Sequence, residues 1–442
     1  MRVLKFGGSS VASPESIKKV CAIIRNELKS SRLAVIFSAF GGITNQLIAC
    51  GEKAAAGDSS YRDECQAVRD RHIQAILELI PKESQEDVQN QVKLMLSDLE
   101  EMCYGAYLVK ELSGRSKDHI VGYGERMSSY IVSEYLKAEG VSVTFCKSWE
   151  LIKTDNNFTK AAVNMESTAK NIKVACPEST DLFIVPGFVG STEDGQLTTL
   201  GRGGSDYTAS LFAYSLDAKA MEKWTDVEGM LTADPRVVDN ATQIETMSYH
   251  EAMELCHFGA KVIYPPTIQP LLEKQIPIYV RSTFHPEHPG TIINGSFSKN
   301  EGNIKGLSSI DGIALLSLSG GGMVGVPGFS KRLFSALASA YVNVILITQA
   351  SSEHTITVGI QASDADKAME MLQEEFGYDL QRGIVDPIHI EKDKSIIAIV
   401  GDNMRSQSGL SGKAFYELGR NNVNIRAIAQ GSSERNISVV IE

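Results

Sequence analysis

Lys5-Phe6-Gly7-Gly8-Ser9-Ser10 places a lysine beside two glycines and two hydroxyls at the end of an apolar run, and Ser13-Pro14-Glu15 follows with the pattern of a helix N-cap. Strand, glycine turn and helix start together present backbone N–H groups and a positive dipole end to an anion, and the lysine adds a mobile cation. Taken alone, the segment reads equally well as an ordinary βα turn, and it lacks the GxxxxGK[ST] spacing of a phosphate loop. Thr199-Leu200-Gly201-Arg202-Gly203-Gly204-Ser205-Asp206 is denser, with a cation, a carboxylate and three glycines between an apolar strand and a helix. Arg202 suits a two-pronged grip on a carboxylate. Gly122-Tyr123-Gly124-Glu125-Arg126 sets Glu125 after two glycines at an expected helix start, where it can pair with an ammonium group. Trp224-Thr225-Asp226 ends another strand. Asp234-Pro235-Arg236 follows and offers Arg236 to a phosphate, although Asp-Pro is also a common turn. Phe258-Gly259-Ala260-Lys261 contributes a second lysine.

This set favours one kind of chemistry and excludes others. The eight histidines show no HxxxH or HExxH spacing, the seven cysteines form no CxxC, and no GxSxG elbow is present. No resident metal site is therefore expected. Glycines, lysines, an arginine and carboxylates suit phosphoryl transfer, in which catalysis is mainly positioning and charge neutralisation. They also suit a carboxylate nucleophile, which is ionised at pH 7 and needs no general base. Gly320-Gly321-Gly322-Met323-Val324-Gly325 satisfies GxGxxG, but the next strand ends in Gln349 rather than an acidic residue, so dinucleotide binding is not expected there.

The elements that must hold these residues fall into two regions. Val3–Phe6, Leu33–Phe37, Val141–Phe145, Leu182–Val185, Ala218–Trp224 and Ile278–Val280 read as buried strands, with a long helical layer from about Ser59 to Leu136. Strands alternating with helices predict an α/β domain with a largely parallel sheet over residues 1–295, and residues 284–305 read as an exit and linker. Beyond it lies a repeat: Val342–Ile360 aligns without gaps to Val423–Ile441 at a constant offset of 81 residues, matching Asn343 with Asn424, Gln349 with Gln430, and Ser351-Ser352-Glu353 with Ser432-Ser433-Glu434. Each copy reads as an α+β unit of strand, helix, strand and strand, spanning 306–391 and 392–442. The second stops short of its last helix and strand, either because it is naturally short or because the chain is cut from something longer. The polar matches gather at one strand end, which a purely structural repeat would not require, and predict a small-ligand pocket in each copy.

Composition narrows the partners. The 442 residues carry a formal charge of −11, leaving no basic field for nucleic acid. No run of 18 apolar residues exists to span a membrane, and MRVLKFGG begins as strand and turn rather than as a signal segment. The scattered cysteines read as reduced thiols, which with that start predicts a cytoplasmic protein.

The motifs KFGGSSV (5–11), SAFGGITN (38–45), GYGERMS (122–128), TLGRGGSDYTA (199–209), WTDVEGMLTADPR (224–236) and FGAKVIYP (258–265) occur in one order, and together the chain resembles the aspartate kinases of the amino acid kinase fold. The duplicated unit resembles the paired ACT domains that regulate them, which implies two α+β ferredoxin-like domains. The resemblance implies ATP-dependent phosphorylation of the β-carboxylate of L-aspartate, with Mg²⁺ bridging the ATP phosphates. It implies that Lys5 steadies the transferred phosphoryl group and that Gly7, Gly8 and Ser9 line the phosphate loop. Ser38 and Thr44 would contact aspartate, Glu125 its ammonium and Arg202 a carboxylate. Asp206 would organise the reaction centre, and Thr225, Asp226, Arg236 and Lys261 would face ATP. The chain departs from the family in having Ser9 for a frequent threonine and Leu231 for a frequent tyrosine near adenine. LITQASSE and NIRAIAQGSSERNIS resemble the ACT pair of bifunctional aspartate kinase–homoserine dehydrogenases, implying threonine as effector through Gln349 and Gln430 and association between chains through the ACT units. A lysine-inhibited monofunctional enzyme and a catalytically silent amino-acid sensor are the alternatives.

Overall fold

The computed structural model describes residues 1–260, 262–295, 304–349, 354–402, 404, 408–430 and 435–442. The chain divides into two units. The first comprises Met1–Met230, Gln243–Tyr249 and Val262–Ser298, and the second Leu231–Thr242, His250–Lys261 and Lys299–Glu442.

The first unit opens with β1 (Arg2–Phe6), α1 (Pro14–Leu28) and β2 (Leu33–Phe37), then α2 (Ile43–Ala55), α3 (Tyr61–Leu79), α4 (Lys82–Val109) and α5 (Gly114–Ala138). It continues through β3 (Thr144–Phe145), α6 (Ser148–Leu151), β4 (Lys153–Thr154), α7 (Met165–Ala175), β5 (Leu182–Pro186), β6 (Val189–Thr192) and β7 (Leu197–Thr199). Next come α8 (Gly204–Ser215), β8 (Met221–Thr225), β9 (Thr246–Ser248), α9 (Tyr249–His257), α10 (Ile268–Glu273), β10 (Ile278–Ser282) and β11 (Thr291–Asn294). The main sheet has eight strands in the order β3-β5-β2-β1-β8-β10-β11-β9. All its pairs are parallel except β10 with β11. The expected strand from Val141 is regular only over Thr144–Phe145. Part of the expected linker is instead β11, where Thr291 and Ile293 bury alternately against β10.

Strand alternation assigns the two faces of this sheet. Leu4, Phe6, Leu33, Val35, Phe37, Leu182, Ile184 and Trp224 point into one core with α1 to α5. The intervening residues face the other way, where α8 packs on β1, β2 and β8. Ser13 caps α1 by accepting from the Ser16 N–H, with Pro14 at the first helical position, as the sequence predicts.

Gly122 and Gly124 do not start a helix, contrary to the sequence expectation. They lie inside α5, where close packing selects them. A Cβ on Gly122 would meet Val189 at 3.1 Å and Leu197 at 3.2 Å, and one on Gly124 would meet the Ala39 Cβ at 2.8 Å.

In the second unit, β12 (Gly306–Ser319), α11 (Phe329–Ser339), β13 (Val344–Gln349), β14 (Thr355–Gln361), α12 (Ala365–Gln381), β15 (His389–Val400), α13 (Leu410–Arg420), β16 (Ile425–Ala429) and β17 (Asn436–Ile441) build a six-stranded antiparallel sheet. Its order is β13-β14-β12-β15-β17-β16. The two copies share its central strands. Residues 313–319 of β12 pair with β14 in the first copy, while Gly306–Ile310 pair with Ile396–Val400 of β15 in the second. The strand that the second copy lacks in sequence is therefore present in its sheet, supplied from before the first copy. Helix α9, expected in the catalytic region, also belongs largely to this unit. The Ser308 hydroxyl donates to the Leu255 carbonyl at 3.1 Å, and the Asp402 N–H to Glu251 at 2.9 Å.

Ala in place of Gly in an exposed helix stabilises by about 1 kcal/mol. Gly124→Ala is expected to do the opposite, lowering unfolding free energy by about 1–3 kcal/mol through the clash with Ala39. Urea denaturation reads the difference, and a raised midpoint would contradict this packing.

Candidate functional site

Lys5 on β1 and Lys223 on β8 are direct cross-strand neighbours in parallel register. Phe6 and Trp224 point into the α1–α5 core, so strand alternation turns both lysines to the opposite face, under α8. There Asp206, in the first turn of α8, meets them both. Its Oδ1 lies 2.6 Å from the Lys5 Nζ, and its Oδ2 accepts from Lys223. All three are nearly enclosed, at 6%, 8% and 4% exposure for Lys5, Lys223 and Asp206. Burial alone would push the Asp206 carboxyl up, but the two ammonium groups, Lys223 foremost, hold it down at about 2. Burial pulls the Lys5 ammonium below the usual lysine value, against the attraction of Asp206. Two cations share this one anion, and the Glu125 carboxyl is the next acidic group near Lys5.

Glu125 enters from α5, 4% exposed. Burial pushes its carboxyl up to about 7, opposed by hydrogen bonds from the Ala39 N–H and Ser205 and by the nearby charge of Lys5. Its Oε2 is buried without a hydrogen-bond partner. An incoming ammonium would meet this need.

The glycines allow the loops to converge. Gly7 donates its N–H to the Trp224 carbonyl at 3.2 Å. A Cβ there would lie 3.6 Å from the Lys5 Nζ, and one on Gly8 would lie 3.2 Å from the Ala39 carbonyl. Ser9 begins a short 3₁₀ turn and is half-buried. Ser38 follows β2, its N–H donating to the Phe6 carbonyl at 3.2 Å while its own carbonyl accepts from Ser128 of α5 at 2.8 Å. Thr44 is half-buried in the first turn of α2. Gly187 passes so close to the second glycine loop that its Cβ would sit 2.6 Å from that of Ser205. Arg202 is exposed between Gly201 and Gly203, both with φ near +70°.

Thr225 ends β8, with its hydroxyl 2.9 Å from an Asp226 oxygen. Arg236 belongs to the second unit, is exposed, and pairs with Asp234 at 2.6 Å. Lys261 lies outside the described residues. Gln349 ends β13 and Gln430 follows β16, both exposed, while the serines and glutamates of the repeat motif lie outside the described residues. Lys223 was not legible as a site residue from sequence, although a lysine amid the buried strand Met221–Thr225 was a signal.

A model of the amino acid kinase family matches residues 1–282, and an ACT domain model matches residues 316–376 and 397–442. The chain belongs to the amino acid kinase family and carries ACT domains after its kinase region. It is 36% identical over 447 residues to the bifunctional aspartokinase/homoserine dehydrogenase of Haemophilus influenzae, covering 100% of this chain and 54% of that protein. It is 32% identical to the chloroplastic aspartokinase 1 of Arabidopsis thaliana, covering 99% of this chain and 77% of that protein. The chain thus spans about half the length of the bifunctional relatives. Among solved structures, E. coli aspartokinase III in complex with aspartate and ADP superposes with a TM-score of 0.86 at 28% identity, covering 100% of this chain and 96% of that one.

The raised Glu125 carboxyl has a consequence for stability. Between its ordinary value of 4.5 and about 7 the folded state binds this proton more tightly than the unfolded chain, so this group makes stability fall as pH rises through that window. Glu125→Gln removes the dependence. Its unfolding free energy relative to the unsubstituted protein should rise by about 3 kcal/mol from pH 4.5 to pH 7.5 and level off above that. Parallel urea titrations of the two proteins would show no such divergence if Glu125 ionised normally.

Proposed function

We propose that this chain transfers the γ-phosphoryl group of ATP to the β-carboxylate of L-aspartate, giving 4-phospho-L-aspartate and ADP, the first step towards lysine, threonine and methionine. The observation that carries this reading is the buried Lys5–Asp206–Lys223 cluster, with Glu125 beside it, in a chain related to aspartokinases over its whole length. An aspartate carboxylate oxygen attacks the γ-phosphorus as the bond to the ADP oxygen breaks. The nucleophile is already ionised, so no proton has to leave it. Lys5 and Lys223 offset the negative charge spread over the transferring group and the leaving oxygen. Asp206 holds both ammonium groups in place, so little reorganisation is needed during the reaction. Glu125 takes the substrate ammonium, and Arg202 grips the α-carboxylate in two-pronged fashion. Ser38 and Thr44 border the aspartate. Gly7, Gly8 and Ser9 line the phosphate loop, with the Gly8 and Ser9 N–H groups as its backbone donors while the Gly7 N–H is held by the Trp224 carbonyl, and Thr225, Asp226, Arg236 and Lys261 serve the nucleotide, which enters as its Mg²⁺ complex.

The paired ACT units support feedback control, and the polar repeat around Gln349 and Gln430 favours threonine over lysine as effector. Each copy offers a neutral amide and hydroxyls, a set that can pair with a hydroxyl-bearing amino acid. Association of chains through these units completes the reading.

ATP-dependent aspartyl hydroxamate formation tests the activity directly. In that assay Lys5→Ala should keep the fold and lower kcat by at least about 10², because one preorganised cation on the reacting group contributes several kcal/mol. Activity within a few-fold of the unsubstituted enzyme would remove Lys5 from its role.

Control is tested by titrating the same rate with threonine and with lysine. Threonine should inhibit, and Gln349→Ala should move its dose–response curve to higher concentration by about tenfold, a coupling change of about 1.4 kcal/mol. Inhibition by lysine alone would overturn the effector assignment and leave the kinase reading standing.

A further inference from the structure

Asp118 is fully buried in α5, two turns before Glu125, and among the described residues no cation pairs with it. Its carboxylate instead gathers three donors from two separate segments. Oδ2 accepts the Thr159 N–H at 2.9 Å and the Thr199 N–H at 3.0 Å, and Oδ1 accepts the Thr199 hydroxyl at 2.6 Å. A fourth hydrogen bond joins the two segments to each other, from the Ala161 N–H to the Thr199 carbonyl at 3.0 Å.

The segment held at Thr159 is strained. Thr159 has φ of +72°, a left-handed conformation that a β-branched residue adopts only when its surroundings impose it. That conformation directs the Thr159 carbonyl towards Gly201, where an added Cβ would meet it at 3.1 Å. Gly201 is itself left-handed, at +70°, and Arg202 is the next residue. The path of the Arg202 loop is thus set on one side by Thr199, at the end of β7, and on the other by Thr159. Asp118 fixes both. Gly122, one turn further along α5, packs against β6 and β7, and Glu125 lies beyond it. Burial pushes the Asp118 carboxyl up and its hydrogen bonds oppose that, so the group occupies its place at an electrostatic cost.

We infer that Asp118 is a positioning residue for substrate recognition: it clamps Thr159 and Thr199 so that α5 sets the Arg202 loop in fixed relation to Glu125, and thereby determines affinity for the amino-acid substrate rather than for the nucleotide. This rests on the reading of Arg202 and Glu125 as the groups that hold the α-carboxylate and ammonium of aspartate.

The test is steady-state kinetics of the full chain with each substrate varied in turn. The unsubstituted enzyme must first show aspartate-dependent consumption of ATP; if it does not, the functional reading fails before Asp118 is at issue. Asp118→Ala should raise KM for aspartate about tenfold or more, with KM for ATP within twofold and kcat within about threefold. Asp118→Asn keeps an oxygen for the two backbone donors and an amide that can donate to the Thr199 hydroxyl, so it should return KM for aspartate to within about threefold. Should the alanine variant not fold, Thr199→Val removes one donor and leaves the carboxylate and both backbone bonds; it should raise KM for aspartate about threefold with KM for ATP unchanged. Equal effects on both substrates, a fall in kcat alone, or an asparagine variant no better than alanine would each overturn the inference.

Discussion

Two buried ammonium groups sharing one buried carboxylate is the constraint on which the first unit depends. Breaking a buried ion pair by removing one partner costs about 3–5 kcal/mol, because the remaining charge is left without compensation. The sheet and α8 must therefore hold Lys5, Lys223 and Asp206 together whether or not a ligand is present. Parallel register puts Lys5 opposite Lys223, strand alternation turns both to one face, and α8 brings Asp206 to that face in its first turn. The aspartate satisfies the pair geometrically but neutralises only one of them. What remains is a preformed pair of lysines with low solvent access, where an added anion interacts with them more strongly than it would in water.

The second requirement is close approach. The glycine loops and the α5 segment that carries Glu125 pass within van der Waals distance of neighbouring elements. Gly8, Gly124, Gly187 and Gly204 occupy positions where a side chain would crowd a neighbouring element. Helix α5 organises this convergence. Along it come Asp118 on the Thr159 and Thr199 segments, Gly122 on β6 and β7, Gly124 on Ala39, Glu125 in the site and Ser128 on the Ser38 carbonyl. One helix thus touches the segments around both glycine loops at close intervals along its length.

Much of this was legible in the sequence because glycine, charge and strand pattern coincide there. Lys5, Glu125, Arg202 and Asp206 were marked by their glycine context, and the largely parallel sheet by its apolar runs. Lys223 was not, since nothing in Met221–Thr225 reveals which strand lies beside it; register between strands more than 200 residues apart is a tertiary fact. Asp118 was hidden for a related reason, its partners being a turn and a strand end far along the chain. The glycines of 122–124 were read as a helix start because local propensity suggests a break, whereas packing against Val189, Leu197 and Ala39 keeps them inside α5.

The duplicated ACT region shows how a correct pattern can mislead about topology. Gly328 and Gly409, matched at the repeat offset, precede α11 and α13 with φ of +112° and +85°, a conformation that explains why glycine stands at both. The missing strand was a matter of order along the chain. β12 serves the second copy with Gly306–Ile310 before it serves the first with Ile313–Ser319, and β15 serves the two in the opposite order. The register shifts between Ile310 and Ile313, near Gly312 at φ of +68°, and facing Asp393 of β15 also has positive φ, at +59°. These local departures from regular pairing let two continuous strands pass from one half-sheet to the other. The copies are therefore joined by shared hydrogen-bond ladders rather than by a linker. A change in twist or register in one half has to be accommodated along the same two strands in the other, which makes a duplicated sequence a single structural body.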